Sequence, residues 1–228
     1  MPAISILTPS YNKSIYVLDS IKSVIGQTFK DIEYFIVENS TDEKTRGLVD
    51  NYVKSLNDPR VHLFFEDYPA ATRIQYYVPS LIINKYFDLM HGDYILYLSD
   101  DDILDLECVE KVMDMLKTGV SACSFKLRKQ IWRNGKFVAD NGDITPSHKT
   151  ALGEGIDCVI DGGQIVISKA CLPKLGQPYY RVAKDGDSHH CDGLFLNRLT
   201  KIVHIFPIFT EKPLVYHRQT EISLWTQG

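Results

Sequence analysis

Strand-like and helix-like segments alternate through the first hundred residues, and this alternation constrains the fold more than any other feature. Apolar strand patterns cover 3–8, 32–37, 61–65 and 94–98, and helix patterns cover 14–25, 42–55 and 81–90. Such alternation predicts an α/β fold with a mostly parallel central sheet flanked by helices. Ligands gather at the carboxyl ends of the strands in these sheets, so the segments at 9–12, 38–40 and 100–102 are expected to share one crevice.

The second half has a different pattern, with shorter elements and more turns. We expect strands at 121–127, 165–167, 202–206 and 214–216, helices at 170–175 and 192–199, and a loop at 142–155. Asn134-Gly135 predicts a hairpin turn. The chain has no internal repeat or linker, so we expect one domain over residues 1–228, with both halves sharing one sheet.

Composition excludes several classes of protein. Of the 228 residues 44% are hydrophobic, which predicts a packed core, and 25 basic against 29 acidic residues give a net charge of −4. The mixed charges argue against a nucleic-acid-binding protein. Five cysteines without a C-x-x-C pair predict reduced thiols and a cytoplasmic location. We expect no secretory signal and no membrane span, which leaves peripheral membrane association and a homo-oligomer open.

Three consecutive carboxylates, Asp100, Asp101 and Asp102, follow the strand at 94–98. Neighbouring negative charges are unfavourable unless a cation or a solvated end relieves them. A carboxylate cluster at the carboxyl end of a strand suits a divalent cation with a diphosphate. The alternative is the N-terminus of a helix over 103–116, where Asp is a common residue.

Four ordered segments then carry a resemblance to a known family: SILTPSYN at 5–12, SVIGQTF at 23–29, EYFIVENSTD at 33–42 and HGDYI at 91–95. The chain resembles the family 2 glycosyltransferases of the GT-A (Rossmann-like) fold, and among them the spore-coat-type nucleotide-sugar transferases. Residues that match the family pattern are frequent over 3–106 and sparse afterwards. The resemblance implies a nucleotide-sugar-binding half at 1–106 and an acceptor-binding half at 107–228.

The activity implied by the resemblance is metal-dependent, inverting transfer of a sugar from a nucleotide diphosphate sugar to the hydroxyl of a saccharide or other acceptor. A UDP-linked donor and a role in cell-surface polysaccharide or glycoconjugate synthesis are expected. By family position, the donor contacts fall on Thr8, Pro9, Tyr11, Glu38, Asn39, Arg73, Ser99 and Asp100.

Several of these donor residues have specific implied roles. Tyr11 would stack on the base, Glu38 or Asn39 would accept the uracil N3–H, and Arg73 would reach the base or the diphosphate. Asp100 would contact the ribose. The alternatives are that Tyr11 covers a strand end and that Arg73 is an ordinary surface residue.

The resemblance also implies a Mn²⁺ or Mg²⁺ ion held by Asp101, with support from Asp102. Ser99 stands where many relatives carry an Asp, so we expect weak metal affinity without nucleotide. Near the tail, some relatives place a metal- or phosphate-contacting His. His217 is a candidate for that role, although the register fits Thr220 better; the alternative for His217 is an exposed residue at a strand end.

An inverting transfer needs a base that removes the acceptor proton. By family position Asp192 fits best, with Asp187 and Asp185 as further candidates; the alternative is that Asp192 caps the helix at 192–199. A zinc site at His189-His190-Cys191 is disfavoured because adjacent side chains seldom converge on one ion. Gly162-Gly163 would either let a sugar approach the backbone or form a turn.

Two other classes of function remain open from the sequence. A sugar nucleotidyltransferase would share the sheet but needs a glycine-rich loop after the first strand, and residues 8–13 contain no glycine. A non-catalytic nucleotide-sugar-binding module would need Tyr11 and the carboxylates but no base.

Overall fold

The computed structural model describes residues 1–146, 160–182 and 191–221, and a seven-stranded sheet is its central element. From edge to edge this larger sheet contains β10 (Phe206–Ile208), β6 (Ala122–Phe125), β9 (Ile165–Ser168), β4 (Tyr94–Tyr97), β1 (Ile4–Ser10), β2 (Ile32–Glu38) and β3 (Val61–Phe65). Only β9 runs antiparallel to its neighbours. The predicted mostly parallel α/β sheet is therefore confirmed.

Helices cover both faces of this sheet. They are α1 (Val17–Ile25), α2 (Glu43–Leu56), α3 (Ala70–Gln75), α4 (Val78–Tyr86), α5 (Cys108–Leu116), α6 (Leu172–Leu175) and α7 (Cys191–Leu199). One apolar cluster joins Leu7 of β1 to α4 and α7, and a second joins Ile6 to α1 and α5. The central strands are apolar at nearly every position because both faces are buried.

A smaller sheet of four strands lies beside the first. Its order is β5 (Ile103–Leu104), β11 (Val215–Gln219), β7 (Leu127–Arg133) and β8 (Lys136–Ile144). Asn134 and Gly135 have positive φ values of 50° and 72° and turn β7 into β8, as their sequence predicts. The two halves thus share the larger sheet through β6, β9 and β10, but they also build a second sheet that the sequence did not predict.

The segment after the three carboxylates shows that one alternative, a helix over 103–116, is wrong at its start. Residues 103–104 form β5, which pairs antiparallel with Val215 and Tyr216, and the helix begins only at Cys108. Ile103 and Leu104 thus take part in a long-range strand pairing instead of a local helix. The carboxylates therefore do not begin a helix.

Smaller corrections concern element boundaries. The prediction of a loop at 142–155 is wrong for residues 142–144, which belong to β8, where Asp143 pairs with Arg128. Residues 147–155 lie outside the described residues. The strand expected at 202–206 begins at Phe206, and the helix expected at 81–90 spans Val78–Tyr86. Within the described residues, no helix is both long and apolar enough to cross a membrane.

Candidate active site

The loops that follow β1, β2 and β4 meet at one edge of the larger sheet, as predicted. The amide of Tyr11 donates to Asp100 Oδ2 at 2.8 Å, and the amide of Asn39 donates to the Ser10 carbonyl at 2.9 Å. Parallel neighbours end at the same edge, which is why residues far apart in sequence come together. We call the segments 10–13, 38–40 and 99–102 the carboxylate edge.

Asp100 lies beneath the Tyr11 backbone and is buried. Burial, followed by the negative charge of Asp101, raises the pKa of Asp100 to about 8. A protonated carboxyl can both donate and accept a hydrogen bond, and hydroxyl groups of a sugar do the same. This chemistry suits the predicted ribose contact, which stays a prediction.

Asp101 is paired with a residue that the sequence analysis did not single out, Lys13. Lys13 Nζ lies 2.6 Å from Asp101 Oδ2 and 3.4 Å from Thr220 Oγ1, and both charged side chains are almost fully enclosed. Thr220 Oγ1 is 3.5 Å from the same carboxylate oxygen. Thr220, the residue whose position best matches the tail histidine of relatives, thus contacts Asp101, the expected metal ligand.

Asp102 is paired with His217. Oδ1 of Asp102 lies 3.0 Å from His217 Nδ1 and accepts the amide of Arg218 at 3.3 Å. Burial alone would lower the pKa of His217, but the charge and hydrogen bond of Asp102 outweigh it and raise that pKa to about 10. Burial also raises the pKa of Asp102, to about 6, although the charge of His217 opposes the rise. The contact with Asp102 therefore favours the protonated form of the His217 imidazole.

His217 is 9% exposed, so the alternative of an exposed strand-end histidine is wrong. A metal ligand must be a neutral imidazole, whereas the raised pKa of His217 favours its protonated form. A metal contact by His217 therefore stays a prediction that requires loss of this proton.

Arg218 fixes the backbone behind the carboxylates. The side chain is 0% exposed; Nη2 donates to the Tyr16 carbonyl at 2.8 Å, and Nε donates to the Asp101 carbonyl. The guanidinium lies between the rings of Tyr16 and Trp132, 5.1 Å and 5.2 Å from their centroids. The sequence reasoning missed this residue because nothing local marks an arginine as buried.

Asp192 lies in the first turn of α7 and keeps part of its surface exposed. Its Oδ2 accepts the amide of Gly162 at 3.1 Å. Because Cys191 and Asp192 are both helical, Asp192 lies inside α7 and is not its cap. Burial, then the charge of Asp161, raises the pKa of Asp192 to about 7, which suits a general base at neutral pH.

Asp185, Asp187, His189 and His190 lie outside the described residues, and the Cys191 side chain is not described either.

A short 3₁₀ turn at Gly162–Gln164 separates Asp192 from Asp102. A Cβ on Gly162 would lie 3.1 Å from Asp192 Oδ2, and a Cβ on Gly163 would lie 3.7 Å from Asp102 Oδ2. Asp161 caps the turn by accepting the amide of Gly163 at 2.8 Å. Because both glycines lack side chains, the two carboxylates can lie close to the turn. A sugar contact there stays a prediction.

Tyr11 and Arg73 form the side of the edge expected to bind the base. The Arg73 guanidinium carbon lies 4.2 Å from the centroid of the Tyr11 ring, which is 38% exposed. Arg73 also donates to Asn39 Oδ1 at 3.0 Å, to the Asn39 carbonyl at 2.5 Å and to the Tyr68 carbonyl at 3.2 Å. Arg73 is therefore not an ordinary surface residue. A cavity of about 370 Å³ lies beside it, lined by Ser40, Thr41, Arg46, Tyr68 and others.

The remaining predicted donor residues make internal contacts. Glu38 is fully buried and accepts from Ser10 Oγ at 2.8 Å and from the Ser40 amide at 2.6 Å. Thr8 Oγ1 accepts from Tyr34, Pro9 pairs with Val37 in the sheet, and Ser99 Oγ lies 3.3 Å from Tyr97 Oη. Their donor contacts stay predictions.

Asp101 and Asp102 fit a divalent cation that arrives with a nucleotide. Asp102 Oδ2 is buried and has no hydrogen-bond partner in the structure as described. Magnesium-type cations use one or two carboxylates together with substrate phosphates. No group of three or more His, Cys, Asp or Glu side chains among the described residues could hold a metal ion alone.

Comparison with known proteins gives the family. The sequence model described as "Glycosyl transferase family 2" matches residues 5–167. Chondroitin synthase from Escherichia coli is 30% identical over 142 residues, which are 61% of this chain and 19% of that protein. The putative teichuronic acid biosynthesis glycosyltransferase TuaG from Bacillus subtilis is 27% identical over 124 residues, which are 54% of this chain and 46% of TuaG.

Solved structures support the fold. S. aureus TarS (residues 1–349) in complex with UDP-GlcNAc has a TM-score of 0.66 at 18% identity, covering 100% of this chain and 61% of that one. The mannosyltransferase PcManGT from Pyrobaculum calidifontis, in complex with GDP-Man and Mn²⁺, has a TM-score of 0.61 at 12% identity, covering 91% of this chain and 55% of that one. The chain spans less than half of the length of chondroitin synthase and of TuaG.

Proposed function

The chain belongs to glycosyltransferase family 2, and from that premise we propose that it transfers a sugar from a nucleotide diphosphate sugar to an acceptor hydroxyl with inversion. The observation that carries the proposal is the position of Asp192 at the Gly162 amide, separated by one short turn from Asp102 and the carboxylate edge. A base and a diphosphate-binding group are the two parts that such a reaction needs.

In this proposal Asp192 accepts the proton of the acceptor hydroxyl while that oxygen bonds to the anomeric carbon. The bond from the anomeric carbon to the diphosphate oxygen breaks, and the nucleoside diphosphate leaves with the electron pair. The pKa of Asp192, raised to about 7 mainly by burial, gives the carboxylate enough basicity for this role at neutral pH.

The residues proposed to hold a divalent cation, Mn²⁺ or Mg²⁺, are Asp101 and Asp102. Such an ion, when bound, neutralises the charge that develops on the leaving diphosphate. The orphaned Oδ2 of Asp102 supports this assignment, because a buried carboxylate oxygen without a donor is costly unless a ligand satisfies it. Tyr11 is proposed to stack on the base, and uridine is the expected base.

The acceptor is proposed to be a cell-surface saccharide or glycoconjugate. Chondroitin synthase and TuaG, by their names, belong to polysaccharide synthesis, which supports this choice.

The experiment uses donor hydrolysis, since many transferases slowly pass the sugar to water when no acceptor is present. UDP release from UDP-GlcNAc, UDP-glucose and UDP-galactose, and GDP release from GDP-mannose, are measured with Mn²⁺. Asp192→Asn is expected to abolish release while UDP binding, measured by calorimetry, stays unchanged. Asp114→Asn is the matched control, because the Asp114 side chain on α5 is exposed. Normal release by Asp192→Asn would remove Asp192 from the mechanism.

The metal assignment has its own test. Asp101→Ala is expected to abolish the dependence of UDP binding on Mn²⁺. UDP titrations that are identical with and without Mn²⁺ for the wild-type protein would overturn the metal role.

A further inference from the structure

Lys13 is a lysine almost without solvent exposure, placed against the expected metal ligand. It is 9% exposed, its Nζ lies 2.6 Å from Asp101 Oδ2, and Asp101 itself is 6% exposed. Lysine is rarely buried unless it is paired, so this contact explains why the side chain points inward. Thr220 Oγ1, 3.4 Å from Nζ, gives the ammonium a neutral acceptor as well.

The carboxylates of Asp101 and Asp102 are therefore not equivalent. Oδ2 of Asp101 is occupied by an ammonium group, whereas Oδ2 of Asp102 has no hydrogen-bond partner within the described residues. A cation that binds Asp101 through Oδ2 must displace the Lys13 ammonium from that oxygen. Moving an ammonium out of a buried ion pair is unfavourable unless another anion accepts it.

We propose that Lys13 is a positioning residue that acts as an exchangeable internal counter-ion: it keeps divalent cations from Asp101 until a donor diphosphate draws its ammonium away. The inference rests on the proposed function in one respect, namely that Asp101 holds the metal. Lysine is suited to the exchange because its ammonium is a compact charge on a flexible stem and binds phosphate well.

The consequence is positive coupling between metal and nucleotide. While the ammonium lies on Asp101, the metal alone binds weakly. Once the ammonium has moved to a phosphate, both the metal and the nucleotide bind more tightly. Because such coupling is reciprocal, the nucleotide strengthens metal binding by the same factor by which the metal strengthens nucleotide binding.

The test measures Mn²⁺ binding by electron paramagnetic resonance, with and without UDP, and UDP binding in EDTA by calorimetry. Lys13→Met removes the charge at nearly constant length. It is expected to bind Mn²⁺ alone about tenfold more tightly than wild type, and to bind UDP in EDTA about tenfold more weakly. These opposite changes would not result from a merely structural role. Lys13→Arg keeps the charge and should not bind Mn²⁺ alone more tightly than wild type.

Lys22→Met is the matched control, because Lys22 lies on α1 with a side chain that is 57% exposed and weakly paired with Asp19. It should change neither titration. If Lys13→Met lacks a cooperative thermal transition, Lys13→Gln takes its place with the same expected changes, since it removes the charge and keeps a donor for Asp101.

The counter-ion role is overturned if the variant that lacks the charge binds Mn²⁺ no more tightly than wild type, or if wild type binds Mn²⁺ equally well with and without UDP. Asp101→Ala separates the two proposals. If Asp101→Ala loses UDP-linked Mn²⁺ binding while Lys13→Met matches wild type, only the role of Lys13 fails. If Asp101→Ala keeps that binding, the metal assignment itself fails.

Discussion

Replacement of Gly162 by alanine tests the contact that places the proposed base. An ideal Cβ on residue 162 would lie 3.1 Å from both Cγ and Oδ2 of Asp192. Ordinary van der Waals contacts of a Cβ atom begin near 3.4 Å, so the Asp192 carboxylate must move by a few tenths of an ångström. Gly162 does not have a positive φ, so alanine fits the backbone and the effect comes from the contact alone.

The size of the effect follows from the hydrogen bond at risk. The Gly162 amide donates to Asp192 Oδ2 at 3.1 Å, and a hydrogen bond to a charged group contributes about 1.5–3 kcal/mol. This bond favours the ionised carboxylate, so its loss raises the pKa of Asp192 further, by about 1–2 units if the bond is lost completely. The acid limb of the pH–rate profile then moves to higher pH, and the rate at pH 7 falls about 5- to 50-fold.

The assay is UDP release from the active donor between pH 5.5 and 9, with UDP affinity measured in parallel. Gly47→Ala is the control, since nothing lies within 4 Å of its Cβ position in the middle of α2. It should stabilise the fold by about 0.5–1 kcal/mol and leave the profile unchanged. A Gly162→Ala enzyme with the wild-type rate and the wild-type acid limb would refute the reasoning.

Three further predictions concern the proposed base, the buried arginine and the base-stacking ring. In the wild-type protein the rate of UDP release should rise with pH through about 7, because burial and the charge of Asp161 raise the pKa of Asp192 and the base must be ionised. A flat profile from pH 5.5 to 8 would contradict this. Arg218→Met should lower the free energy of unfolding in urea by about 3–5 kcal/mol, since it leaves buried carbonyl groups without donors. Arg128→Met in the β7–β8 hairpin is the control and should lower it by at most about 1 kcal/mol. Similar losses for the two variants would argue against a structural role of the buried Arg218. Tyr11→Ala should weaken UDP binding in calorimetry by about 1–3 kcal/mol with the Mn²⁺ dependence retained, and unchanged affinity would exclude base stacking on this ring.

Local patterns in the sequence were sufficient to predict the framework of the site. The apolar strands at 32–37 and 61–65 are bounded by polar turns, and both appear in the sheet within a residue of the expected limits. The polar residues after β1, β2 and β4 meet because parallel strands share an edge, a rule that needs no knowledge of packing. The hairpin at Asn134-Gly135 followed from turn chemistry alone.

The parts that could not be predicted depend on contacts between distant segments. Ile103 and Leu104 look helical in their local context, but the tail strand captures them into β5. Lys13 reads as a polar loop residue, and only the fold brings Asp101 within its reach. Arg218 likewise carries no local signal of burial, because its rings and acceptors come from distant parts of the chain, among them Tyr16 and Trp132 of β7.

The tail strand β11 has a consequence for the order in which the protein folds. Lys13 and Thr220 are separated by 207 positions in sequence, and Arg218 reaches the Tyr16 carbonyl across 202 positions. Contacts at such separations form late, because the entropy of closing a long loop opposes them until most of the sheet exists. During synthesis on the ribosome, the first sheet strands can therefore assemble while Asp102 still lacks His217. The proposed cation site at Asp101 and Asp102 should therefore be complete only after β11 has docked.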